Sequence, residues 1–336
     1  MRVKNTWFSL VIAVILFMPA VCIAADVIDQ EVTPGVKKIY LEPEQTLWDK
    51  GDFKFLTALT VGYDNNAYLD PRRDGDAYTQ QYFRGTFASP LSKQTEFSFD
   101  YEFMNLMYSG ESKLDLTSNR IHTGMEHKLT KDIRVSGGYG FDIVEYINTG
   151  TDDYVEQMID VKLSQNLPQK MFHSIRYDGS YRNYDKRLNR GPDGITGTKK
   201  RDDARNTVTY EVGKFLNKDM LKFNLEYYNN NSDEKYLNYY DYDSYRFGSS
   251  LTHLFTDKVF GYISASRQLR YYRSRMIVND TPKQEDKTYL ITTALFYSVS
   301  KALSFGVNYT YRQNTSNEPV ERYSGSLLSV STYYRF

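Results

Sequence analysis

The chain has 336 residues, with 42 Lys and Arg balanced by 42 Asp and Glu, so its formal net charge is zero. That balance argues against a nucleic-acid-binding protein, which carries a basic patch or stripe. The single cysteine, Cys22, excludes an internal disulfide framework and a cysteine metal site. The mean hydropathy is −0.59, yet Tyr occurs 31 times and Phe 19 times. This combination is typical of amphipathic barrel strands, in which only one face must be apolar.

The N terminus has the layout of a secretory signal peptide over residues 1–24. Arg2 and Lys4 form a short basic region, residues 7–17 are apolar, and small residues surround a cleavage point before Ala25. The apolar run is too short for a spanning helix, which needs about 20 residues. We therefore expect an exported protein. Val21 before Cys22 does not fit a lipoprotein signal.

The segment 25–52 is polar and does not follow the pattern of a barrel strand. We expect a periplasmic N-terminal segment, either flexible or folded as a small plug.

From residue 53 onward, strand patterns alternate with short turns that share a composition. Each turn has an apolar residue, one or two polar or Pro residues, and a Lys. The turns recur about every 40 residues, which suits two spanning strands of about 9–11 residues and their connections better than a propeller blade. They lie at residues 90–93, 129–132, 167–170, 216–219, 255–258 and 299–302.

Longer polar connections separate the strand pairs. Six turns and seven loops connect fourteen strands, with 12 to 16 as the range that pattern alone supports. The sequence thus predicts an all-β fold, a transmembrane antiparallel up-and-down β-barrel over 53–336, with turns on the periplasmic side and loops outside. The loops are expected at 65–77, 109–117, 148–153, 186–203, 232–242, 275–286 and 314–323.

Strict alternation assigns the two faces of the clearest strands. Near the start of the barrel, Phe97, Phe99, Tyr101 and Phe103 alternate with acidic and Ser residues. Residues 303–312 alternate in the same way. Successive side chains of a strand point to opposite faces, so the apolar set is expected to face lipid and the polar set the lumen.

The last strand ends on an aromatic residue at the carboxyl terminus. Leu328, Val330, Thr332, Tyr334 and Phe336 form its mostly apolar face. This segment resembles the C-terminal strand of Gram-negative outer-membrane β-barrels. The resemblance implies an outer-membrane location after signal cleavage, and contact with lipid, lipopolysaccharide and the barrel-assembly machinery. It also implies that Phe336, Tyr334 and Leu328 form the signal that this machinery reads.

Two short motifs carry a narrower resemblance. Residues 61–66, Val-Gly-Tyr-Asp-Asn-Asn, leave the first strand, and Pro-Leu-Ser-Lys at 90–93 forms the turn after the second. They resemble the barrel of surface lipoprotein assembly modifiers and of putative porins encoded beside exopolysaccharide genes. The resemblance implies pore or export functions and transfers no functional residue.

We expect an outer-membrane pore for passive or weakly selective passage of small hydrophilic solutes, among them anionic oligosaccharides. Lumen arginines would pair transiently with carboxylate or sulfate groups. One alternative is a component of a polysaccharide or lipoprotein export system with periplasmic partners. Another is a structural or surface-recognition barrel with a plugged lumen. The expected pore-lining residues are Arg134, Arg176, Arg182, Arg246, Arg312, Asp142 and Asp178.

No arrangement of residues predicts catalysis or a cofactor. His173 and Ser174 are adjacent, so on a strand they point to opposite faces and cannot act as a base and nucleophile. The loop segment 70–76 has three carboxylates that could attract Ca²⁺, but two arginines offset them and a solvated turn is expected. The basic loop 186–203 is expected to be solvated, with binding of lipopolysaccharide phosphates or inward folding as alternatives.

Overall fold

The computed structural model describes residues 51–336 except 151, 192, 237–239 and 278–281. The expected signal peptide and nearly all of the segment 25–52 therefore lie outside the described residues. In the part of the chain that is described, no helix is long and apolar enough to span a bilayer.

The described residues form one closed barrel of fourteen antiparallel strands, each hydrogen-bonded to its neighbours in sequence. The predicted fold class and strand number are confirmed. The strands are β1 Asp52–Asp64, β2 Asp76–Pro90, β3 Thr95–Tyr108, β4 Leu116–Lys128, β5 Ile133–Tyr146, β6 Tyr154–Leu167, β7 Met171–Arg190, β8 Thr196–Leu216, β9 Asp219–Ser232, β10 Tyr242–Thr256, β11 Val259–Met276, β12 Lys283–Ser298, β13 Leu303–Ser316 and β14 Tyr323–Arg335.

The seam between β1 and β14 closes the barrel. Their register runs from Leu56 opposite Arg335 to Asp64 opposite Leu327. The last residue extends this pairing, because the Phe55 amide donates to the Phe336 carbonyl at 2.9 Å and the Phe336 amide donates to the Phe55 carbonyl at 3.1 Å. The two rings stack with centroids 5.1 Å apart. Closure leaves no strand edge in lipid, where unpaired backbone groups are costly.

Apolar side chains lie on the outer surface with the predicted alternation. On β14, Leu328, Val330 and Tyr334 are each about half exposed, while Ser329 and Ser331 between them face inward and are buried. The same alternation holds on the other strands whose faces were predicted most clearly. Exposed outward residues there include Phe99, Tyr139, Ile143, Leu225, Phe305, Val307 and Tyr309.

Four of the six short turns use a Ser or Thr of the recurring motif as a hydrogen-bond acceptor. The hydroxyl of Ser92 accepts the Thr95 amide at 3.0 Å, and the hydroxyl of Thr256 accepts the Val259 amide at 3.0 Å. Thr130 and Ser300 make the equivalent bond to the amide three residues later. Ser and Thr favour turns through such local bonds. The motif is therefore the chemical reason for the tight turns.

The connections at the opposite end of the barrel are numbered L1 to L7 in chain order. They comprise residues 65–75, 109–115, 147–153, 191–195, 233–241, 277–282 and 317–322.

The predicted long loop at 186–203 is wrong. There β7 continues to Arg190 and β8 begins at Thr196, which leaves only 191–195 as L4. Charges on the two strands hold this extension together, since Lys200 Nζ lies 2.7 Å from the Asp185 carboxylate. Opposite charges on paired strands stabilise a hairpin. No apolar alternation marks the extension, because it rises beyond the expected lipid boundary and both of its faces are polar.

Deletion of Phe336 should reduce assembly of the barrel in cells while leaving its ability to fold in vitro. In cells, we expect far less assembled barrel, because the machinery loses the terminal aromatic residue. In vitro, the purified variant should still fold in detergent, since the deletion removes only two terminal backbone bonds and two ring contacts, each ring contact contributing about 0.5–1.5 kcal/mol. Heat-modifiable migration on gels measures both the assembly in cells and the folding in detergent. Phe336→Tyr is the control, because it keeps the aromatic ring. Parental assembly in cells would show that Phe336 is not the signal.

Candidate functional site

The inner face of the barrel carries a chain of alternating charges across β2 to β5. Arg84 lies 3.0 Å from Asp100 and 3.6 Å from Glu102. Arg120 continues the chain, 3.9 Å from Glu102 and 2.9 Å from Asp142. Each charge sits near an opposite charge on the same or a neighbouring strand, so the wall is polar and close to neutral.

The chain continues on β6 and β7, where the lumen is more open. His122 Nε2 lies 2.8 Å from Asp160. Arg176 lies 2.7 Å from Asp178 and 3.9 Å from Asp160, and its side chain remains 48% exposed. An inward-facing guanidinium with that exposure is in contact with lumen water, so it is available to a passing solute.

All seven predicted pore-lining residues lie on the inner face, but their surroundings differ. Arg134 is 3.7 Å from Glu126, near the end of the barrel that carries the short turns. Arg246 is 3.5 Å from Glu226. Both keep a quarter or more of their side-chain surface exposed. The solute-binding role of these arginines stays a prediction.

The other predicted residues are more enclosed. Arg182 is 2.8 Å from Glu156, and both side chains are only 12% exposed. Asp142 is buried and accepts hydrogen bonds from the Ser118 hydroxyl and from Arg120. Arg312 is also buried, within 2.6 Å of Asp64 at the base of L1. These contacts indicate a bracing contribution for all three residues.

The wall opposite the charged chain is neutral over its middle. There the Thr60 and Ser331 hydroxyls are 2.8 Å apart, and the Thr292 and Thr310 hydroxyls are 3.2 Å apart. Asn308 adds a further uncharged polar group. These groups are buried and pair with one another, so this side of the inner wall is uncharged and packed.

L1 folds into the outer mouth of the barrel. The Asn66 side-chain amide donates to the carbonyls of Asp70 at 2.8 Å and Ser324 at 3.0 Å. Arg312 donates to the Asn66 carbonyl at 2.9 Å as well as to Asp64. Ala67 is completely buried. These bonds hold the loop against the inner wall.

An apolar cluster lies beneath L1 and packs the outer end of the lumen. Ala67 belongs to it, and Tyr68 packs against it. Its other members come from the inner faces of β2 to β7 and β14 and from L2. They are Tyr78, Leu106, Tyr108, Leu114, Leu116, Val144, Tyr146, Tyr154, Tyr184 and Leu327.

The solvated turn predicted at residues 70–76 is therefore wrong for its first residue. Asp70 is 7% exposed, and Arg72 binds its carboxylate at 2.6 Å. The Arg72 guanidinium occupies the position beside the Asp70 carboxylate that a bound metal cation would need. Among the described residues, no group of three or more His, Cys, Asp or Glu is arranged to hold a metal ion.

The pKa values of Tyr68 and Glu321, both in loops, are shifted by their surroundings. Tyr68 donates a short hydrogen bond to Glu111, and burial together with that carboxylate raises the pKa of the Tyr68 hydroxyl. Burial also raises the pKa of Glu321 in L7, against the opposing effect of Arg275 at 2.9 Å. Tyr68 thus stays a neutral donor that ties L1 to L2.

An arginine–tyrosine cluster lines the inner face of β6 to β11 and extends into L5. Its guanidinium groups lie over tyrosine rings, where the ring face attracts a cation. Of this set, only Arg182 was predicted from the sequence to line the pore. Arg270 and Tyr272 share one face with Gln268, so alternation along β11 could have indicated them. The pairs are Arg182 over Tyr154 at 4.0 Å, Arg201 over Tyr240 at 3.3 Å, Arg205 over Tyr228 at 5.1 Å, Arg270 over Tyr242 at 4.7 Å and Arg275 over Tyr272 at 5.0 Å.

Solved outer-membrane barrels share this fold at low sequence identity. OmpT of Vibrio cholerae matches with a TM-score of 0.52 and 9% identity, over 87% of this chain and 100% of that one. The outer-membrane channel DcaP of Acinetobacter baumannii matches with a TM-score of 0.52 and 10% identity, over 85% of this chain and 97% of that one. No protein-family model and no curated protein matches the chain. The similarity confirms a porin-like outer-membrane β-barrel fold.

Shortening L1 should widen the passage. Asp64 and Asp76 are cross-strand partners, so an Asn-Gly turn in place of residues 65–75 can join them. We expect larger single-channel conductance, because the loop and Ala67 leave the outer mouth. The matched control replaces residues 191–195 of L4 with the same turn, between the partners Arg190 and Thr196. Equal conductance in both variants would show that L1 does not obstruct the passage.

Proposed function

We propose that this protein is an outer-membrane pore for small hydrophilic solutes, including anionic oligosaccharides. The observation that supports this most directly is the closed barrel with a charged, water-accessible inner wall. Arg176 is the clearest example, since it faces inward and is 48% exposed. Fourteen strands exceed the roughly eight whose interior side chains can fill, so the barrel has room for a passage.

The proposed selectivity is a weak preference for anions. Most charges of the lumen are paired, so no ring of a single sign produces strong selection. In the outer half, however, Arg205 and Arg270 have no carboxylate within salt-bridge distance among the described residues. These two guanidinium groups are the proposed source of the weak anion preference.

The proposed location is the outer membrane of a Gram-negative bacterium, with turns in the periplasm and L1 to L7 outside. The proposed partners are membrane lipid, lipopolysaccharide and, during biogenesis, the barrel-assembly machinery. The extended β7–β8 hairpin reaches furthest outward. Its Lys199 and Lys200 pair with Asp233 and Asp185 at 3.0 and 2.7 Å, so a lipopolysaccharide phosphate would compete with these carboxylates.

A second candidate function is a surface-recognition barrel whose lumen stays closed. The packed outer end favours it, because Ala67 is completely buried within the cluster beneath L1. In that case the exposed loops bind the partner and the charged chain only braces the wall.

Conductance of the purified chain in planar bilayers tests the proposal. We expect steady open steps and a reversal potential in a salt gradient that shows anion preference. Arg176→Gln should reduce this preference by at most about fivefold, since attraction between unit charges at 4 Å in water is about 1 kcal/mol. Arg273→Gln is the control, because Arg273 is on the outer face, paired with Asp243. A heat-modifiable barrel without conductance would favour the recognition barrel.

A further inference from the structure

Two arginines of the outer half lack the partner that other buried arginines have. Arg201 lies 2.5 Å from Asp203, whereas neither Arg205 nor Arg270 has a carboxylate at salt-bridge distance in the described ranges. Instead, Arg205 Nη2 donates to the Tyr242 hydroxyl at 3.3 Å. Arg270 is only 6% exposed, and its Nε atom has no hydrogen-bond partner among the described residues.

Both arginines converge on a pair of tyrosines. The Tyr228 and Tyr242 rings are 5.9 Å apart. Arg205 lies 5.1 Å from the centre of the Tyr228 ring, and Arg270 lies 4.7 Å from that of Tyr242. Arg246 is on the same face of β10 as Ser244, the cross-strand partner of Tyr228. The site thus brings three cations together around two aromatic rings.

The carboxylates near this site leave Arg205 and Arg270 without a direct ion pair. Glu226 lies 3.5 Å from Arg246 and compensates that residue. Glu156 is paired with Arg182 at 2.8 Å. Asp286, the cross-strand neighbour of Arg270 on β12, is beyond salt-bridge distance from it. A cation removed from water without a paired charge costs several kcal/mol. An arrangement that concentrates such cations on an inner wall is suited to receive an anion.

We propose that Arg205 and Arg270 bind the anionic oxygen group of a solute, a carboxylate or a sulfate, between β8 and β11. The planar guanidinium fork matches the oxygens of such groups. Arg205 is half-buried and faces the lumen, so it offers the point of entry. This inference rests on the proposed pore function and specifies where an acidic saccharide is retained during passage.

Binding can be measured by isothermal titration calorimetry on the full purified chain in detergent. The probes are potassium galacturonate and potassium sulfate, with galactose as the neutral counterpart of the sugar acid. We expect both anions to bind and galactose not to bind. Arg205→Gln and Arg270→Gln should each weaken binding about 10- to 100-fold, since a hydrogen bond to a charged group contributes about 1.5–3 kcal/mol. Arg273→Gln, on the opposite face of β11, should bind as the parent does.

Several results would overturn the site. They are failure of both anions to bind, galactose binding as tightly as galacturonate, or parental affinity in both glutamine variants. Binding of sulfate without galacturonate would support the anion site and identify the ligand as a sulfate group. Thermal unfolding adds a second readout, because removal of an uncompensated charge should not lower the unfolding temperature. Lower unfolding temperatures together with unchanged binding would show a purely structural role.

Bilayer conductance of the same preparation distinguishes this inference from the proposed function. Conductance without anion binding would overturn the site and leave the pore. Anion binding without conductance would support the site and overturn passive passage.

Discussion

The hydrogen bonds that join β1 to β14 are the constraint on which the rest of this structure depends. A strand in lipid must pair every backbone amide and carbonyl, because no water is available to bind them. Phe55 and Phe336 complete this pairing at the last residue of the chain. Once the sheet is closed, each strand has one face in lipid and one in the lumen. The alternation of apolar and polar residues follows directly from that geometry.

Closure also brings charges from distant parts of the sequence to one inner wall. Most are then held by an opposite charge on the same or an adjacent strand, as with Arg120 between Glu102 and Asp142. Such pairing braces the wall and leaves little net field. Arg205 and Arg270 differ in that aromatic rings and hydroxyl groups, rather than carboxylates, are their nearest partners. Neither charge is therefore neutralised by a direct ion pair, and this is the basis of the anion site proposed in the outer half.

Features that repeat regularly along the chain could be predicted from the sequence. Features that depend on contacts between distant residues could not. The strand number followed from turns that share an apolar residue, one or two polar or Pro residues and a Lys, and the facing of Tyr139 or Val307 followed from alternation. The β7–β8 extension was missed because its charges satisfy each other without any apolar pattern. The inward fold of L1 depends on Arg312, which lies 248 residues from its partner Asp64. Likewise, the contact of Arg205 with Tyr228 depends on the register between β8 and β9, which no local pattern specifies.

The hydrogen bonds of L1 determine whether solutes can pass an outer mouth that the loop packs. Its base is fixed, because Asp64 and Arg312 belong to strands and their pairing is buried. Beyond that base, polar contacts such as Arg73 with Ser324 hold the loop at exposed positions. Leu69 and Arg73 have φ angles of 53° and 61°, a conformation that costs a non-glycine residue roughly 1–2 kcal/mol. Displacement of L1 would break none of the strand pairs of the barrel, so the loop could open the mouth while the wall stays intact.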